Sequence, residues 1–414
     1  MELIMRLCTV VIIALISVYP LVSKTMSVYP KLGKPLTDAI NNAQAGDTIL
    51  LHAGTYIEGL ITITKPITIL GQQRPVLDGD NKSEILLIRS DSVKISGLIL
   101  RNTGISYLYE RAGIRLEFSH YCVIEHNIFE NTCYAIYSGK SSHNIISHNS
   151  IRGNSTLDEA SAGNGIHCWY CNNYRIEYNT IEKQRDGIYL EFTTESQMTS
   201  NRSEKNLRYG LHFMFSHHDK YEKNIFKNNG AGVAVMYTHH VEMYQNIFED
   251  NQGSAAYGLL LKDITDGTIK DNTFSHNTAG IYAEGGGRII VEYNDFIENG
   301  WAIRLMADCT DNTFSKNNFL GNTFDIATNS FSNYSVFTGN YWDKYTGYDI
   351  NKDSVGDIPY HPVRLFCYLV EQNPPAMLLL RSFLISLLEV AESIFPSVTP
   401  DTLIDSSPSM LYIA

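Results

Sequence analysis

The sequence predicts an all-β fold, a parallel β-helix with a capping helix at its N-terminus and a helical tail at its C-terminus. Three observations favour this class. From residue 113 to about residue 320 the chain repeats roughly every 22 residues, and each repeat opens on a small residue. Apolar and polar side chains then alternate, and an Asn follows 14 positions after the small residue in eight of nine repeats. A coil of this length accommodates three short strands separated by turns, and such coils stack into a solenoid.

The small residues define the start of each coil, and offsets are counted from them. They are Gly113, Ala135, Gly165, Gly187, Gly210, Gly232, Gly258, Gly280 and Ala302. Period-two alternation is typical of a half-buried strand, so offsets +1, +3 and +5 are expected to point inward and offsets +2 and +4 outward. In the coil that opens at Gly210, this places Phe213 and Phe215 inside and His212 and Met214 outside. The regular Asn is expected to occupy a left-handed turn position and to bond to the Asn one coil away.

The N-terminal part divides into an export signal and the start of the solenoid. Residues 7–18 are apolar and follow Arg6, which is typical of a secretory signal; we assign residues 1–24 to it, with cleavage near residues 20–25. An uncleaved membrane anchor is the open alternative. Residues 28–340 are predicted to form the β-helix. A short helix starting near Thr37 is expected to shield its first coil, because the open end of a solenoid needs a cap.

The C-terminal part leaves the repeat. Residues 341–374, rich in Tyr, Asp and Pro, are predicted to form an exit loop, and residues 375–414 an apolar helical tail for docking a partner. Arg381 and Glu389 interrupt the apolar run, which is short for a membrane span. A helix this apolar needs an apolar partner, either the open end of the solenoid or a membrane protein or bilayer surface.

Charge and cysteine content narrow the function classes. The formal net charge of −12 disfavours a nucleic-acid partner and is compatible with a cation. Six cysteines lie outside the signal segment, at differing offsets, and are expected to be mostly free, buried thiols. Cys168 and Cys171 would lie roughly 10 Å apart in an extended strand, too far for a disulfide. A turn between them would change that conclusion.

One candidate metal site stands out, because two neighbouring coils share the same unusual side chains. Met214, His217 and His218 recur as Met236, His239 and His240, each 22 residues later. Equal offsets place them one coil apart, about 4.8 Å along the stack. His212 is expected on the same outer face. Thioether with imidazole suits Cu(I), and imidazole alone suits Cu(II) or Zn(II).

The alternative is that these histidines are turn residues that stack as aromatic ladders beside an apolar groove. His167 and Cys171 are weaker additions to the metal set. A loop containing Asp349, Asn351 and Asp353 resembles the start of a calcium loop, but Ser354 replaces its Gly and Tyr360 its closing Glu, so a polar turn is favoured over a calcium site. Carboxylates are scattered and no catalytic spacing stands out, so we expect no enzyme.

The exit segment adds a family resemblance. Gly339-Asn340-Tyr341-Trp342-Asp343, Gly356-Asp357-Ile358-Pro359-Tyr360 and Asn373-Pro374-Pro375 resemble the signature of the NosD family, and Ala45-Gly46-Asp47-Thr48 near the start is also similar. The resemblance implies a right-handed parallel β-helix in the periplasm, associated with the membrane through the permease of an ABC transporter and its ATPase. It also implies a role in assembling the copper–sulfur centre of nitrous oxide reductase, with copper received from a lipoprotein chaperone. It assigns no metal ligand.

Two other function classes share this architecture. An exported carbohydrate-binding or polysaccharide-cleaving β-helix is the alternative function. The Asn-Thr-Asp, Asp-Asp, Gly-His-Gly and Arg-Ile-Lys signatures typical of polygalacturonan hydrolases do not occur in the sequence. Lyases disperse their sites, so a uronide cleavage assay is the direct check. A passive surface adhesin is disfavoured by the apolar tail.

Overall fold

The chain folds into three parallel sheets that wind along one axis as a β-helix, which confirms the predicted fold class. The computed structural model describes residues 23–106, 109–154, 158–330, 334–394 and 403–414. The predicted signal, residues 1–24, therefore lies almost wholly outside the described residues. Each coil contributes one strand to each sheet, and every strand pairs with the equivalent strand one coil away.

The three sheets contain 14, 13 and 12 described strands. Sheet A consists of Thr25–Val28, Thr48–Leu51, Thr68–Gly71, Lys94–Ser96, Val123–Glu125, Ile145–Ser147, Arg175–Glu177, Gln197–Thr199, Lys220–Glu222, Glu242–Tyr244, Thr268–Lys270, Ile290–Glu292, Thr313–Ser315 and Val336–Thr338. Sheet B consists of Thr55–Tyr56, Val76–Asp78, Ile99–Arg101, Ile128–Glu130, Ser150–Arg152, Thr180–Glu182, Arg202–Glu204, Ile225–Lys227, Ile247–Glu249, Thr273–Ser275, Asp295–Ile297, Asn318–Leu320 and Tyr341–Trp342. Sheet C consists of Ile61–Ile63, Leu86–Ile88, Ala112–Glu117, Tyr134–Gly139, Ile166–Trp169, Ile188–Glu191, Tyr209–Met214, Ala231–Met236, Tyr257–Lys262, Ala279–Glu284, Trp301–Leu305 and Phe324–Ala327.

The inward side chains of sheet C lie at offsets +1 and +3, whereas the prediction for offset +5 is wrong. Leu211 and Phe213 are fully buried, but Phe215 is 39% exposed. The strand ends at Met214, and Phe215 takes a left-handed backbone with φ 51° that turns the chain toward sheet A. Its ring therefore stays outside the solenoid, stacked on Phe192 at 5.3 Å and on Tyr237 at 5.0 Å between centroids.

The predicted Asn ladder is present inside the turn between sheets A and B. The side-chain amide of Asn224 donates to Oδ1 of Asn246 at 3.0 Å and to the carbonyl of Met198 at 2.8 Å. The left-handed backbone does not belong to the Asn: the preceding residue carries it, as Lys223 does with φ 56°. The buried Asn instead satisfies the backbone groups that the turn leaves unpaired.

Two further stacks continue through the core. A second amide ladder comprises Asn206, Asn229, Asn251, Asn277, Asn299 and Asn322. A buried aromatic stack comprises Phe226, Phe248, Phe274, Phe296, Phe319 and Trp342. Because equivalent positions hold equivalent residues, each coil is packed against its neighbours in the same way.

The N-terminal end is closed by the helix Pro35–Asn42, as predicted. Glu58 from the first coils is buried, and its carboxylate accepts hydrogen bonds from the backbone N–H groups of Leu36 and Thr37, both at 2.9 Å. These N–H groups have no partner within the helix, so Glu58 takes the place of an N-cap residue.

The C-terminal part is helical only in its first portion. Helices cover Leu365–Gln372 and Phe383–Ile394, with a 3-10 helix at Pro374–Leu379 between them. Helical structure thus begins inside the predicted exit loop, and residues 403–414 of the predicted tail are not helical. They return to the end of the solenoid, where the carboxylate of Asp405 accepts hydrogen bonds from the side chains of Asn340 and Trp342. In the described residues we find no helix with the length and hydropathy that crossing a bilayer requires.

Candidate metal centre

Four histidines occupy the turn from sheet C to sheet A in two adjacent coils. His217 and His218 follow the strand Tyr209–Met214, and His239 and His240 follow Ala231–Met236. The backbone N–H of His218 donates to the carbonyl of His239 at 3.2 Å, which ties the two turns together. His218 and His240 have left-handed backbones, with φ 58° and 55°, so their side chains project from the corner into solvent.

The four imidazoles form two stacks set at right angles. The rings of His217 and His239 lie 3.8 Å apart and nearly parallel, and those of His218 and His240 lie 4.8 Å apart. The ring of His239 meets both His218 and His240 edge-on. The four histidines therefore lie close together, as predicted. They also stack on each other, as the alternative of an aromatic ladder expected.

Three of the four histidines converge on one point. One ring nitrogen from each of His218, His239 and His240 lies within 4.8 Å of the other two. Nδ1 of His239 and Nδ1 of His240 are 2.9 Å apart. Two nitrogens bound at about 2.0–2.1 Å to a tetrahedral metal lie roughly 3.3 Å apart, so a small displacement of the rings would allow both to bind one ion.

His217 stands beside this group and supports it. Its Nδ1 accepts a hydrogen bond from the backbone N–H of His239 at 3.3 Å, and its ring covers one face of the His239 ring. His217 is therefore suited to orienting His239, a role that partners of metal-binding histidines often have. We call His218, His239 and His240 the histidine triad.

Two of the four histidines have a lowered pKa. Burial lowers the pKa of His217, and the neighbouring imidazoles lower it further. Burial also lowers the pKa of His239, followed by the effect of His218 and His240. Since a metal competes with protons for the imidazole lone pair, a lowered pKa leaves that lone pair available at neutral pH.

Met214 and Met236 lie at the ends of the two strands that lead into the histidine corner. They are paired in register, are half-buried, and alternate with the buried Phe213 and Val235, which places both on the outer face of sheet C as predicted. One left-handed residue and one inward hydroxyl residue separate each Met from the first His of its turn. That hydroxyl residue is Ser216 in one coil, and its Oγ bonds to the carbonyl of Met214 at 3.1 Å.

The structure separates His212 from the histidine triad. It lies on the outer face of sheet C as expected, but it is only 4% exposed and belongs to a different cluster. Its ring stacks on Tyr189 at 4.7 Å, and its Nδ1 lies 3.6 Å from the Asp186 carboxylate. Asp186 is in turn paired with Arg208. His167 joins this cluster rather than the triad, since its ring packs edge-on against Tyr189.

The loop at Asp349, Asn351 and Asp353 has its oxygen atoms engaged with the chain itself. The Asp349 carboxylate accepts the N–H groups of Lys352 at 2.6 Å and Ser354 at 2.9 Å, and the Asn351 side chain bonds to Asp353 at 2.9 Å. These hydrogen bonds form a polar turn, and the preference for a turn over a calcium site stays a prediction.

The sequence left the arrangement of Cys168 and Cys171 open, because it depends on whether a turn lies between them. The estimate of roughly 10 Å between them assumed an extended strand. The backbone instead turns at Tyr170, with φ 51°, and the thiol of Cys171 donates to the carbonyls of Ser138 and Trp169, both at 3.5 Å. The six described cysteines outside the signal segment are all free and buried. The Ser or Thr that most coils carry at the position of Cys171 was a signal in the sequence that this position lies in a turn.

Comparison with known proteins adds a family and several relatives. Residues 40–160 and 155–347 match the family model described as "Periplasmic copper-binding protein (NosD)". Two relatives carry the name "Probable ABC transporter binding protein NosD". The one from Stutzerimonas stutzeri is 28% identical over 379 residues, covering 87% of this chain and 86% of the relative. The one from Pseudomonas aeruginosa is 28% identical over 378 residues, covering 87% of each chain.

Among solved structures, the catalytic unit of the GH87 α-1,3-glucanase from Streptomyces thermodiastaticus is similar with a TM-score of 0.60 and 11% identity, covering 78% of this chain and 70% of the glucanase. The Dettilon tailspike protein is similar with a TM-score of 0.51 and 13% identity, covering 74% of this chain and 69% of the tailspike. At such identities the likeness shows the shared β-helix fold alone.

Proposed function

The chain belongs to the NosD family of periplasmic copper-binding proteins, and from that premise we propose that it is a non-enzymatic copper-handling protein that serves an ABC transporter. The observation that carries the proposal is the convergence of His218, His239 and His240 on one point at a solvent-exposed corner. Copper is the cargo in this proposal, so the site must both accept and release it.

The chemistry of the corner suits that task. Imidazole nitrogens bind copper in both oxidation states, and thioether sulfur selects Cu(I). The histidine triad supplies up to three nitrogens, and Met214 and Met236 supply sulfur from the adjacent strand ends. The site lies on an open surface with half-buried and exposed ligands, which favours transfer of the ion to another protein over permanent storage.

We further propose the destination of the copper and the route by which it arrives. The cargo would be used in assembling the copper–sulfur centre of nitrous oxide reductase, and a lipoprotein chaperone would deliver it. Support comes from the family resemblance, and the name "Probable ABC transporter binding protein NosD" of the two relatives supports a role beside a transporter. Residues 1–24 remain our proposed export signal, in accord with a periplasmic family.

The helical part of the tail is the surface that we propose for the permease of the transporter. Ile385 is buried in a small core with Phe324 and Phe366, which fixes the helix Phe383–Ile394 to the end of the solenoid. The opposite side of this helical part leaves large apolar side chains in solvent: Leu378, Phe383, Leu384, Leu387 and Val390. An exposed apolar patch of this kind marks an interaction with a protein or a membrane.

Anaerobic titration with Cu(I) against a chromophoric chelator tests the site. Losing a residue that orients a ligand typically weakens metal binding by roughly 10–100-fold, and we expect a loss in this range for His217→Ala. We expect His239→Ala to weaken Cu(I) binding by more than this, because it removes a ligand. Met214→Leu with Met236→Leu should weaken Cu(I) more than Zn(II), because only the sulfur ligands discriminate between the two ions.

A matched control exists on another corner of the same protein. His126 and His148 are exposed, with ring centroids 4.8 Å apart and planes tilted by 33°, but among the described residues they have no third histidine within reach. His126→Ala with His148→Ala should leave the affinity unchanged. If the His239 variant binds Cu(I) with the stoichiometry and affinity of the wild type, the triad is not the site.

The alternative function, carbohydrate binding or polysaccharide cleavage, rests on the architecture that the glucanase shares. That likeness extends to the fold alone, so it does not favour the alternative. Incubation with uronide polymers, followed by measurement of cleaved products, is the direct check.

A further inference from the structure

Two cavities lie side by side between the end of the solenoid and the C-terminal helices. The first has a volume of about 240 Å³ and is lined mainly by polar and aromatic side chains. The second has a volume of about 630 Å³ and adds the apolar side chains of Phe324, Phe366 and Leu380. Lys344 and Arg364 line both cavities. The two cavities therefore form one cleft with a polar end and an apolar end, which we call the tail cleft.

The polar end contains a cation that no acid neutralises. Arg364 is half-buried, directly precedes the helix Leu365–Gln372, and places its guanidinium carbon 5.7 Å from the centre of the Tyr360 ring. Among the residues that the structure describes, no carboxylate oxygen lies within 4.0 Å of this guanidinium. His361 lines the same cavity, and its buried Nδ1 has no hydrogen-bond partner among these residues. Half-buried polar groups of this kind normally have partners, so the polar end is suited to an anionic ligand.

The carboxylates around the tail cleft are bound to other groups. Asp325 accepts the Lys344 ammonium at 3.2 Å and the Tyr360 hydroxyl at 3.3 Å. The Glu392 carboxylate accepts the backbone N–H of Leu365 at 3.1 Å. Lys344 is therefore paired within the protein, and the positive charge available to a ligand is that of the arginine.

The apolar end of the tail cleft continues into the exposed side of the C-terminal helices. Ser386 and Val390 line the cleft one helical turn apart on the helix Phe383–Ile394. The same helix carries Phe383, which is 85% exposed, and Leu384, which is 59% exposed. An apolar chain that leaves the cleft along this helix would meet further apolar side chains.

A ligand that matches both ends of the cleft has an anionic head and an apolar body. Inorganic anions match the polar end alone. A carboxylate on a partner protein would also satisfy the arginine, but it would leave the larger, apolar-lined cavity without an occupant. A phospholipid fits both parts, because it joins a phosphate to long hydrocarbon chains.

We propose that the tail cleft binds one anionic phospholipid of the membrane that contains the transporter. The headgroup phosphate would pair with Arg364, whose planar guanidinium matches phosphate oxygens in a bidentate arrangement. An acyl chain would lie along Phe324, Phe366 and Leu380. The proposal rests on the proposed function only in placing the tail beside the membrane, and copper binding does not depend on it.

The charge of the whole protein makes the proposal testable with vesicles. The formal net charge is −12, so an anionic surface repels the protein as a whole. A preference for anionic vesicles must therefore come from a local site. Vesicles of phosphatidylcholine alone are compared with vesicles that also contain phosphatidylglycerol, and co-sedimentation of the full-length protein measures the binding.

The wild type should bind the phosphatidylglycerol vesicles more tightly. Arg364→Gln should weaken this binding by at least about fivefold, the effect of losing one basic residue beside an anionic surface, and Arg364→Lys should restore part of it. The Gln variant should keep the urea unfolding midpoint of the wild type, because this arginine has no ion pair to lose among the described residues.

Arg381→Gln is the matched control. Arg381 is exposed on the same tail and lines neither cavity, so the substitution removes the same charge and should keep the preference for phosphatidylglycerol. Equal losses in the Arg364 and Arg381 variants would show a general charge effect and overturn the proposal.

Two further measurements separate the sources of the anion. Short-chain phosphatidylglycerol below its micelle concentration should bind with one equivalent, and inorganic phosphate at the same concentration should not displace it. Displacement by phosphate would show that the anion alone is the ligand and would overturn the lipid assignment. If the protein binds neither kind of vesicle but still associates with the permease, the cleft accepts a protein segment and the lipid proposal is wrong. The copper proposal is judged separately, by the Cu(I) titration.

Discussion

At the scale of single residues, the corners of the coils hold side chains that project into solvent and do not pack in the core. Corner residues such as His218 and His240 carry the left-handed backbone that the turn requires, and their side chains are not needed in the core. His tolerates this conformation better than β-branched residues do. The same corner one coil away repeats the geometry, so histidines at equivalent positions of adjacent coils stack on each other.

A buried histidine on the outer face of sheet C should make stability depend on pH. Burial and then Arg185 lower the pKa of His167 from 6.5 to about 3. Between these two values the unfolded chain takes up a proton that the folded protein does not, so stability falls as pH falls below 6.5. Between pH 7.5 and pH 5 this difference should lower the free energy of unfolding by about 2 kcal/mol.

His167→Tyr should remove this loss of stability at low pH. The substitution should fit, because Tyr137 and Tyr189 already occupy the same position in the neighbouring coils. Urea unfolding midpoints at pH 7.5 and pH 5 measure the effect. His148→Tyr, at an exposed position, should keep the wild-type pH response. An equal response in the His167 variant would contradict the assignment of a neutral buried imidazole.

At the scale of elements, nine consecutive strands of sheet C, from Ala112–Glu117 to Trp301–Leu305, carry a small residue within one position of their start. A Cβ built on Gly187 would lie 2.5 Å from the carbonyl oxygen of Gly210 in the next coil and would also overlap Ser203. Neither neighbour can retreat, because the first is backbone and the second bonds to the same carbonyl.

Gly187→Ala should therefore destabilise the protein by about 3 kcal/mol, as overpacking in a rigid core does. Gly139→Ala is the control, since its Cβ would meet only the rings of Tyr137 and Trp169 at ordinary contact distances of 3.6 and 3.7 Å. It should change the unfolding free energy by less than about 0.5 kcal/mol. Equal effects of the two substitutions, measured by urea unfolding, would show that the close approach between coils is not what selects glycine.

The elements also show how far the sequence predicts the structure. The period, the strand alternation and the Asn ladder follow from local rules that repeat in every coil, so they could be predicted from the sequence. The fate of Phe215 was not, because an apolar residue fits both an inward strand position and an outer stack. The burial of His212 was not predictable for a related reason: alternation gives its direction, but the side chains that cover it come from other coils. The arrangement of Cys168 and Cys171 was left open, because it depends on a turn at Tyr170 that alternation cannot reveal.

At the scale of the whole molecule, both ends of the solenoid are closed by the chain itself. At the C-terminal end, Asp405 accepts hydrogen bonds from the backbone of Gly339, the side chain of Asn340 and the indole of Trp342. The carboxylate thereby continues the Asn ladder by one step. Without it, buried donors of the last coil would lack partners, at a cost of about 1–3 kcal/mol each.

Asp405→Ala should lower the unfolding midpoint and promote self-association, because an uncovered sheet end pairs with other chains. Light scattering after size-exclusion chromatography measures the association, and urea unfolding measures the stability. The neighbouring exposed Ser406, changed to Ala, should behave as the wild type. A monomeric Asp405 variant with unchanged stability would contradict a capping role for residues 403–414.

The strict coil-to-coil register also fixes a spacing within the molecule. Four pairing steps, from Val233 through Leu259, Ile281 and Ile303 to Ile326, separate the coil that carries the second histidine pair from the strand against which the C-terminal helices pack. This amounts to roughly 19 Å. Evolution can lengthen or shorten that span only by whole turns of the spiral, in increments of about 5 Å. A permease docked on the C-terminal helices, as we propose, would therefore lie at one of a few discrete distances from the histidine triad.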